Sequence, residues 1–261
     1  MRPLDQIDSG PSPEPAPTEP VELTVVVPVK DEATRLPVAA PVLLSFVREH
    51  GSAEVLISVD PGCSDRTPAM ASDLDSGSPW VRSVSAPSTG KGNALLAGVM
   101  TARGRIVLMS DSDLSVDPGQ WDVMVRSVRP GTVVIADRRI PGARRIDDPP
   151  LRAWMGRLFN VLVRALVLPG LRDTQCGCKA MTTADAQSLL ADITTGGWAY
   201  DVEMLAKARH RGMRIIQHPV TWTYHDGSQM TPGGALKAVR DVLRLAVRVG
   251  RATEPRTLGR D

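Results

Sequence analysis

The sequence predicts an α/β fold: a mostly parallel sheet flanked by helices, contained in a single domain. Three observations carry this. From Glu22 onward, short apolar β-branched runs alternate with helical stretches of about a dozen residues, the pattern of crossover units in a parallel sheet. Acidic residues recur where those runs end, and the carboxyl ends of strands are where open α/β sheets bind ligands. No internal repeat and no Gly/Ser-rich linker divides the chain.

In chain order, strands are expected at Leu23 to Val29, Val55 to Asp60, Trp80 to Ser85, Arg105 to Ser110 and Gly131 to Ala136. Helices are expected between them at Pro37 to His50, Pro68 to Leu74 and Lys91 to Ala102. The second half is less regular. Arg152 to Leu168 reads as a helix with Trp154, Leu158, Leu162 and Ala165 on one face and Arg152, Arg157 and Arg164 away from its centre. Met213 to Gln217 reads as a further strand and Leu236 to Val249 as a closing helix. That last helix places Arg240, Arg244, Arg248 and Arg251 on one side and Val239, Val242, Leu243 and Ala246 on another. Such a basic amphipathic helix suits an anionic membrane surface, and equally suits docking on the core with its arginines in water.

The chain of 261 residues divides into three parts: a disordered Pro-rich tail over 1–20, the α/β domain over 21–230, and a basic helix and tail over 231–261. The tail is rich in Pro, Ser and acids, too polar to offset its ordering entropy. Apolar residues at 42% are enough for a sizeable core, but aromatics at 3% leave it resting on Val, Leu, Ala and Met and predict no aromatic sugar platform. A net charge of +2 gives no argument for nucleic acid, although acids concentrate in the first half and arginines in the second, where an acidic partner should bind. Three cysteines, Cys63, Cys176 and Cys178, with no apolar leader, predict a reducing, cytoplasmic setting without disulfides. The longest apolar run, Val161 to Leu168, is broken by Arg164 and falls short of a membrane span.

Asp111-Ser112-Asp113 places two carboxylates two residues apart at the end of a buried strand. Such a pair can turn onto one hard cation, Mg²⁺ or Mn²⁺, which can bridge phosphate oxygens of a diphosphate leaving group. The same pair also suits a solvated turn. A phosphohydrolase would carry its Asp-x-Asp on the first strand, whereas four strand-like runs come before this one. Gly90-Lys91-Gly92 opens a helix, so backbone N–H groups and the lysine could face an anion. It lacks the P-loop spacing. Cys176-Gly177-Cys178 reads as buried small apolar residues rather than zinc ligands, having no His beside it.

Taken together, Val25-Val-Val-Pro28-Val-Lys-Asp31-Glu32, Val59-Asp60-Pro-Gly-Cys-Ser-Asp65, Gly90-Lys-Gly92, Asp111-Ser-Asp113 and Asp173-Thr-Gln-Cys-Gly-Cys-Lys179 resemble family 2 glycosyltransferases. The likeness runs from about Val21 to Met230 and is strongest to the dolichyl-phosphate β-glucosyltransferase and polyprenyl-phosphate mannosyltransferase branch. The resemblance implies a GT-A fold, a nucleotide-diphosphate sugar donor (UDP- or GDP-sugar), a divalent metal, inversion at the anomeric carbon and a polyprenyl phosphate acceptor. It implies that Pro28, Glu32 and Asp60 line the nucleotide, that Lys91 and Ser112 lie by the diphosphate, and that Asp111 and Asp113 hold the metal. It places Arg138 near the donor and acceptor phosphates, Asp173, Gln175 and Lys179 on the acceptor side, and Asp201 and Glu203 on the next helix. Pro61 and Gln229 depart from the family pattern, the first beside the base and the second near the phosphates.

An anionic acceptor needs a positive pocket and no strong base, and Arg138, Arg139, Arg144, Arg145 and Lys179 are candidates to form one. A hydroxyl acceptor needs a carboxylate, for which Asp173 or Asp201 is the candidate. Of Asp201 and Glu203, two apart on a helix, one is expected to point at the site and the other to pair with an arginine. His225, beside Asp226, is expected to border the acceptor entrance. Three functions are consistent with these residues: a transferase peripheral to the membrane, a soluble transferase with a small-molecule acceptor, and a non-catalytic nucleotide-sugar-binding protein.

Overall fold

The computed structural model of the chain describes residues 16–225 and 232–253; Asp226 and Gln229 lie outside them, as do residues 1–15 of the Pro-rich segment. The strands are β1 (Leu23–Val29), β2 (Ala53–Val59), β3 (Val81–Ser85), β4 (Ile106–Met109), β5 (Thr132–Asp137), β6 (Arg144–Ile146), β7 (Lys179–Thr182), β8 (Arg214–Pro219) and β9 (Thr221–Thr223). The helices are α1 (Leu36–His50), α2 (Thr67–Gly77), α3 (Lys91–Thr101), α4 (Trp121–Arg126), α5 (Pro150–Leu166), α6 (Thr183–Ala191), α7 (Tyr200–His210) and α8 (Pro232–Thr253).

Seven strands form one sheet in the order β3-β2-β1-β4-β7-β5-β8. The first four run parallel, β7 is antiparallel to both β4 and β5, and β8 closes the far edge parallel to β5. β6 and β9 make a separate two-stranded ribbon. β1 and β2 are mostly apolar and buried almost throughout because both faces of the sheet are covered. Alternate residues go to opposite sides: Val25, Val27 and Val29 join Leu36 and Leu43 of α1 and Trp121 of α4. Val26 joins Leu95 and Val99 of α3 and Tyr200 and Leu205 of α7 on the other face.

All the strands and helices expected in the parallel half are present. β7, α4, α6 and the β6–β9 ribbon were not expected. β7 is four residues long, and α6 is nine residues, started by Thr182, whose hydroxyl accepts from the Asp185 N–H.

Of the two choices the sequence left open, α8 takes core docking with Arg240, Arg244 and Arg248 exposed, while α5 divides its apolar residues between core and surface. α5 turns Asn160 and Val163 inward, and of the expected stripe Leu162 is partly buried against the same core while Trp154, 61% exposed, and Leu158, 58% exposed, stay outside. α8 packs against α5 and α7 through Ala238, Val242 and Leu245, while Leu236, Leu243 and Val247 remain exposed. Among the described residues no helix is long and apolar enough to cross a membrane.

Candidate active site

The carboxyl ends of β1, β2 and β4 converge, and Asp111, Ser112 and Asp113 leave β4 at that edge. Lys91, the first residue of α3, sets its ammonium 2.5 Å from Asp111 Oδ1. Burial would push the carboxyl up and the ammonium down, but their attraction outweighs it, so Asp111 is lowered, Lys91 is raised and both stay charged. Asp113 accepts from the Ser115 N–H at 3.0 Å through Oδ1. Ser112 is buried and hydrogen-bonds Glu32. Glu32 is raised, chiefly by burial, with Asp113 adding repulsion and Arg35, at 2.6 Å, opposing both. Gly177 makes room for this group: a Cβ there would lie 2.2 Å from Asp111 Oδ2.

The neighbouring loops are stitched to one another. Asp31, in the left-handed region at φ 51°, accepts from the Ser64 N–H at 2.6 Å, and Thr67 Oγ1 accepts from the Glu32 N–H at 2.7 Å. Pro28 is partly exposed beside them. Asp60 is buried; Oδ1 accepts from Gly62 N–H at 2.8 Å and Oδ2 from Gly90 N–H at 2.7 Å. The expected backbone cradle at Gly90 and Gly92 is therefore already filled. Gly92 N–H donates to the Gly196 carbonyl at 2.9 Å, and a Cβ on Gly90 would lie 2.3 Å from that same oxygen. With both glycine amides engaged, the Lys91 side chain is the charged group this segment presents.

On the far side, Arg138 grips Asp173 with two parallel bonds, Nε to Oδ2 at 2.5 Å and Nη2 to Oδ1 at 2.9 Å. Burial alone would raise the Asp173 carboxyl, but this guanidinium holds it well below the usual carboxylate range. The Trp222 ring carries Arg138 and Arg145 over it, at 5.2 and 5.8 Å from the centroid. Arg139, Arg145 and Arg157 crowd the same region; burial first, then mutual repulsion with Arg138, lowers Arg139 and Arg145. A small cleft lined by Asp111, Ser115, Gly177 and Trp222 lies beside Asp111, with the Trp222 ring that carries Arg138 and Arg145 in its wall.

Lys179 corrects an expectation. It is 1% exposed, its Nζ 2.5 Å from both Asp201 Oδ1 and the Cys176 carbonyl, so it supports Asp111 electrostatically from within the core rather than lining a pocket. Asp201 is 4% exposed and spent on Lys179. Glu203 pairs with Lys207 at 3.2 Å, not with an arginine, and accepts from Thr194 and Thr195. Arg144 is exposed on β6 and His225 is exposed at the end of the described segment. Cys63, Cys176 and Cys178 are free thiols, and burial pushes Cys176 up to about 11.

The glycosyl transferase family 2 model matches residues 24–190, which include β1 through β4, Asp111-Ser112-Asp113 and the Asp173 segment. The chain belongs to glycosyl transferase family 2. It is a glycosyltransferase by that membership and by its relatives. It is 30% identical over 245 residues to the dolichyl-phosphate beta-glucosyltransferase of Homo sapiens, covering 87% of this chain and 75% of the relative. It is 28% identical over 261 residues to dolichyl-phosphate beta-glucosyltransferase ALG5C of Trichomonas vaginalis, covering 92% and 77%. A solved structure of glucosyl-3-phosphoglycerate synthase from Mycobacterium tuberculosis with Mn²⁺, UDP and glucosyl-3-phosphoglycerate matches with TM-score 0.66 at 21% identity, covering 88% of this chain and 81% of that one. The fold is the GT-A arrangement of that neighbour.

In this family 2 glycosyltransferase the donor set at Asp111 and Asp113 fits a hard divalent ion. Both ligands are carboxylates, and Mg²⁺ or Mn²⁺ commonly takes one or two of these plus phosphate and water. Among the described residues no group of three or more His, Cys, Asp or Glu is arranged to hold a metal. Sequence reasoning missed two aromatic residues. Trp222 backs the arginines, and Trp198 lies with its ring centroid 5.2 Å from the Lys91 ammonium. Overall aromatic scarcity gave no hint that two of five tryptophans collect here.

Proposed function

We propose that the chain transfers a hexose, with inversion, from a UDP- or GDP-sugar to polyprenyl phosphate, working peripherally on the cytoplasmic face of an anionic membrane. UDP is favoured because the solved neighbours hold UDP and Mn²⁺, and a polyprenyl phosphate because the curated relatives are dolichyl-phosphate glucosyltransferases. Bound at Asp111 and Asp113, Mg²⁺ or Mn²⁺ would supply charge neutralisation for the departing diphosphate. Lys91 supplies a second positive charge there, and Arg138 a third facing the acceptor.

The observation that carries the acceptor assignment is the bidentate Arg138–Asp173 pair. With Asp173 held low by Arg138 and Asp201 held by Lys179, both candidate bases are committed to cations. A phosphomonoester is already an anion, needs no base, and needs the positive surroundings that Arg138, Arg139, Arg145 and Arg157 provide. The same helix favours a lipid: α5 meets the arginine cluster at Gly156, 3.4 Å from Arg139 Nη2 at the position of a Cβ, and exposes Trp154, Met155, Leu158 and Val161. Exposed Arg157, Arg164, Arg240 and Arg244 rim these apolar stripes, as expected for helices resting among anionic headgroups.

The test is incubation with radiolabelled UDP-glucose, Mn²⁺ and a polyprenyl phosphate, followed by solvent extraction. Label should move to the organic phase as a lipid monophosphate sugar. Label confined to the aqueous phase on a small acceptor would favour a soluble transferase, and no transfer with intact nucleotide-sugar binding would favour a non-catalytic binder.

A further inference from the structure

The five residues Thr194-Thr195-Gly196-Gly197-Trp198, between α6 and α7, are fixed by contacts that serve no chemistry of their own. Glu203, buried on α7, accepts from the amides of Thr194 at 3.1 Å and Thr195 at 2.8 Å, and from the Thr195 hydroxyl at 2.6 Å. Arg248 of α8 donates to Thr194 Oγ1 at 2.8 Å. Gln175 donates to the Trp198 carbonyl at 3.3 Å, and the Gly196 carbonyl takes the Gly92 N–H at the start of α3. These contacts hold the loop that carries the Trp198 ring, whose centroid lies 5.2 Å from the Lys91 ammonium, and the same ammonium is 2.5 Å from Asp111 Oδ1.

A lysine ammonium on a four-carbon stem is a mobile point charge. The Lys91 ammonium sits 2.5 Å from Asp111 Oδ1, so meeting a diphosphate means turning from that carboxylate toward phosphate oxygens. An aromatic face offers it a second attraction that leaves it free to meet phosphate oxygens.

We propose that Glu203 and Trp198 are positioning residues for the donor diphosphate: Glu203 holds the 194–198 loop, the loop holds the Trp198 ring, and the ring aims Lys91. This rests on the assignment of Lys91 to the diphosphate above. It gives the second acid of Asp201-Val202-Glu203 a role that is neither base nor ligand, and it makes the Gly196-Gly197 pair part of the donor site.

The test is calorimetric titration, with Mn²⁺ present, of UDP against UMP and of GDP against GMP, using the pair that the wild-type chain binds. Trp198→Ala should weaken the diphosphate about tenfold and leave the monophosphate nearly unchanged, while Trp198→Phe keeps most of the preference. Glu203→Ala should match Trp198→Ala, and the double variant should lose no more than either single one, because the two act in series. Trp198 is partly exposed, so its variants stay informative even where Glu203→Ala fails to fold. Equal weakening of both nucleotides, additive losses, or an unchanged diphosphate preference in Trp198→Ala would overturn the proposal. A wild-type chain that binds neither diphosphate removes the donor assignment and this proposal with it.

Discussion

Asp137, at the end of β5, has no exposed surface; Oδ1 accepts from the Arg139 N–H at 2.7 Å, and Oδ2 has no hydrogen-bond partner among the described residues. Burial first, and the nearby Asp173 charge after it, raise this carboxyl above its ordinary value. The folded state therefore holds its proton to higher pH than the unfolded chain does. Stability falls as pH climbs from the usual carboxylate range through the raised folded value, and below that window the penalty is absent. Asp137→Asn should flatten this slope, seen as melting curves of variant and wild type that diverge between acid and neutral pH, by about 1 kcal/mol or more at pH 7. At this scale Asp111, Asp113 and Lys91 were legible from their pattern at a strand end and a helix start, and Arg138 and Asp173 from the family resemblance; Lys91 and Arg138 both act on Asp111, and Arg138 pairs with Asp173. The sequence was silent on Trp198, Trp222 and the true partners of Asp60 and Lys179, because those depend on which loops meet, and no local pattern records that.

Among the elements, the parallel strands were legible because burial on both faces demands unbroken apolar β-branched runs. β7 was not. Its four residues follow directly on the Cys176-Gly177-Cys178 turn, and inserting it antiparallel between β4 and β5 is a tertiary choice. α5 shows the converse: its apolar stripe was visible, but an apolar stripe does not say whether core, lipid or partner covers it. Here Asn160 and Val163 turn to the core with Leu162 of the stripe packed beside them, and Trp154 and Leu158 of the stripe, together with Val161, are left outside. Trp154→Glu combined with Leu158→Glu should lower partitioning onto phosphatidylserine vesicles in a sedimentation assay by at least about tenfold, since each side chain is worth ~1.5–3 kcal/mol when fully buried. The melting temperature should hardly move, because both residues are exposed in the folded chain. Unchanged partitioning would remove α5 from the membrane contact.

Across the whole molecule, the topology brings residues from both halves of the sheet to one edge. The parallel strands β1, β2 and β4 deliver Glu32, Asp60, Asp111 and Asp113 to one edge, and the segment leading into antiparallel β7 brings Asp173 and Gly177 to the same place from the other side. The arginines of the second half then face the acids of the first across Asp111, so donor and acceptor phosphates would meet where opposite charges alternate. Everything in this arrangement depends on the β4 carboxylates holding a metal against the diphosphate. Calorimetry of UDP with and without Mn²⁺, on wild type and Asp113→Ala, tests this most directly. The wild-type chain should bind UDP at least tenfold more tightly with Mn²⁺, and Asp113→Ala should lose that enhancement while keeping its fold by circular dichroism; UDP binding indifferent to both the ion and the substitution would contradict the account.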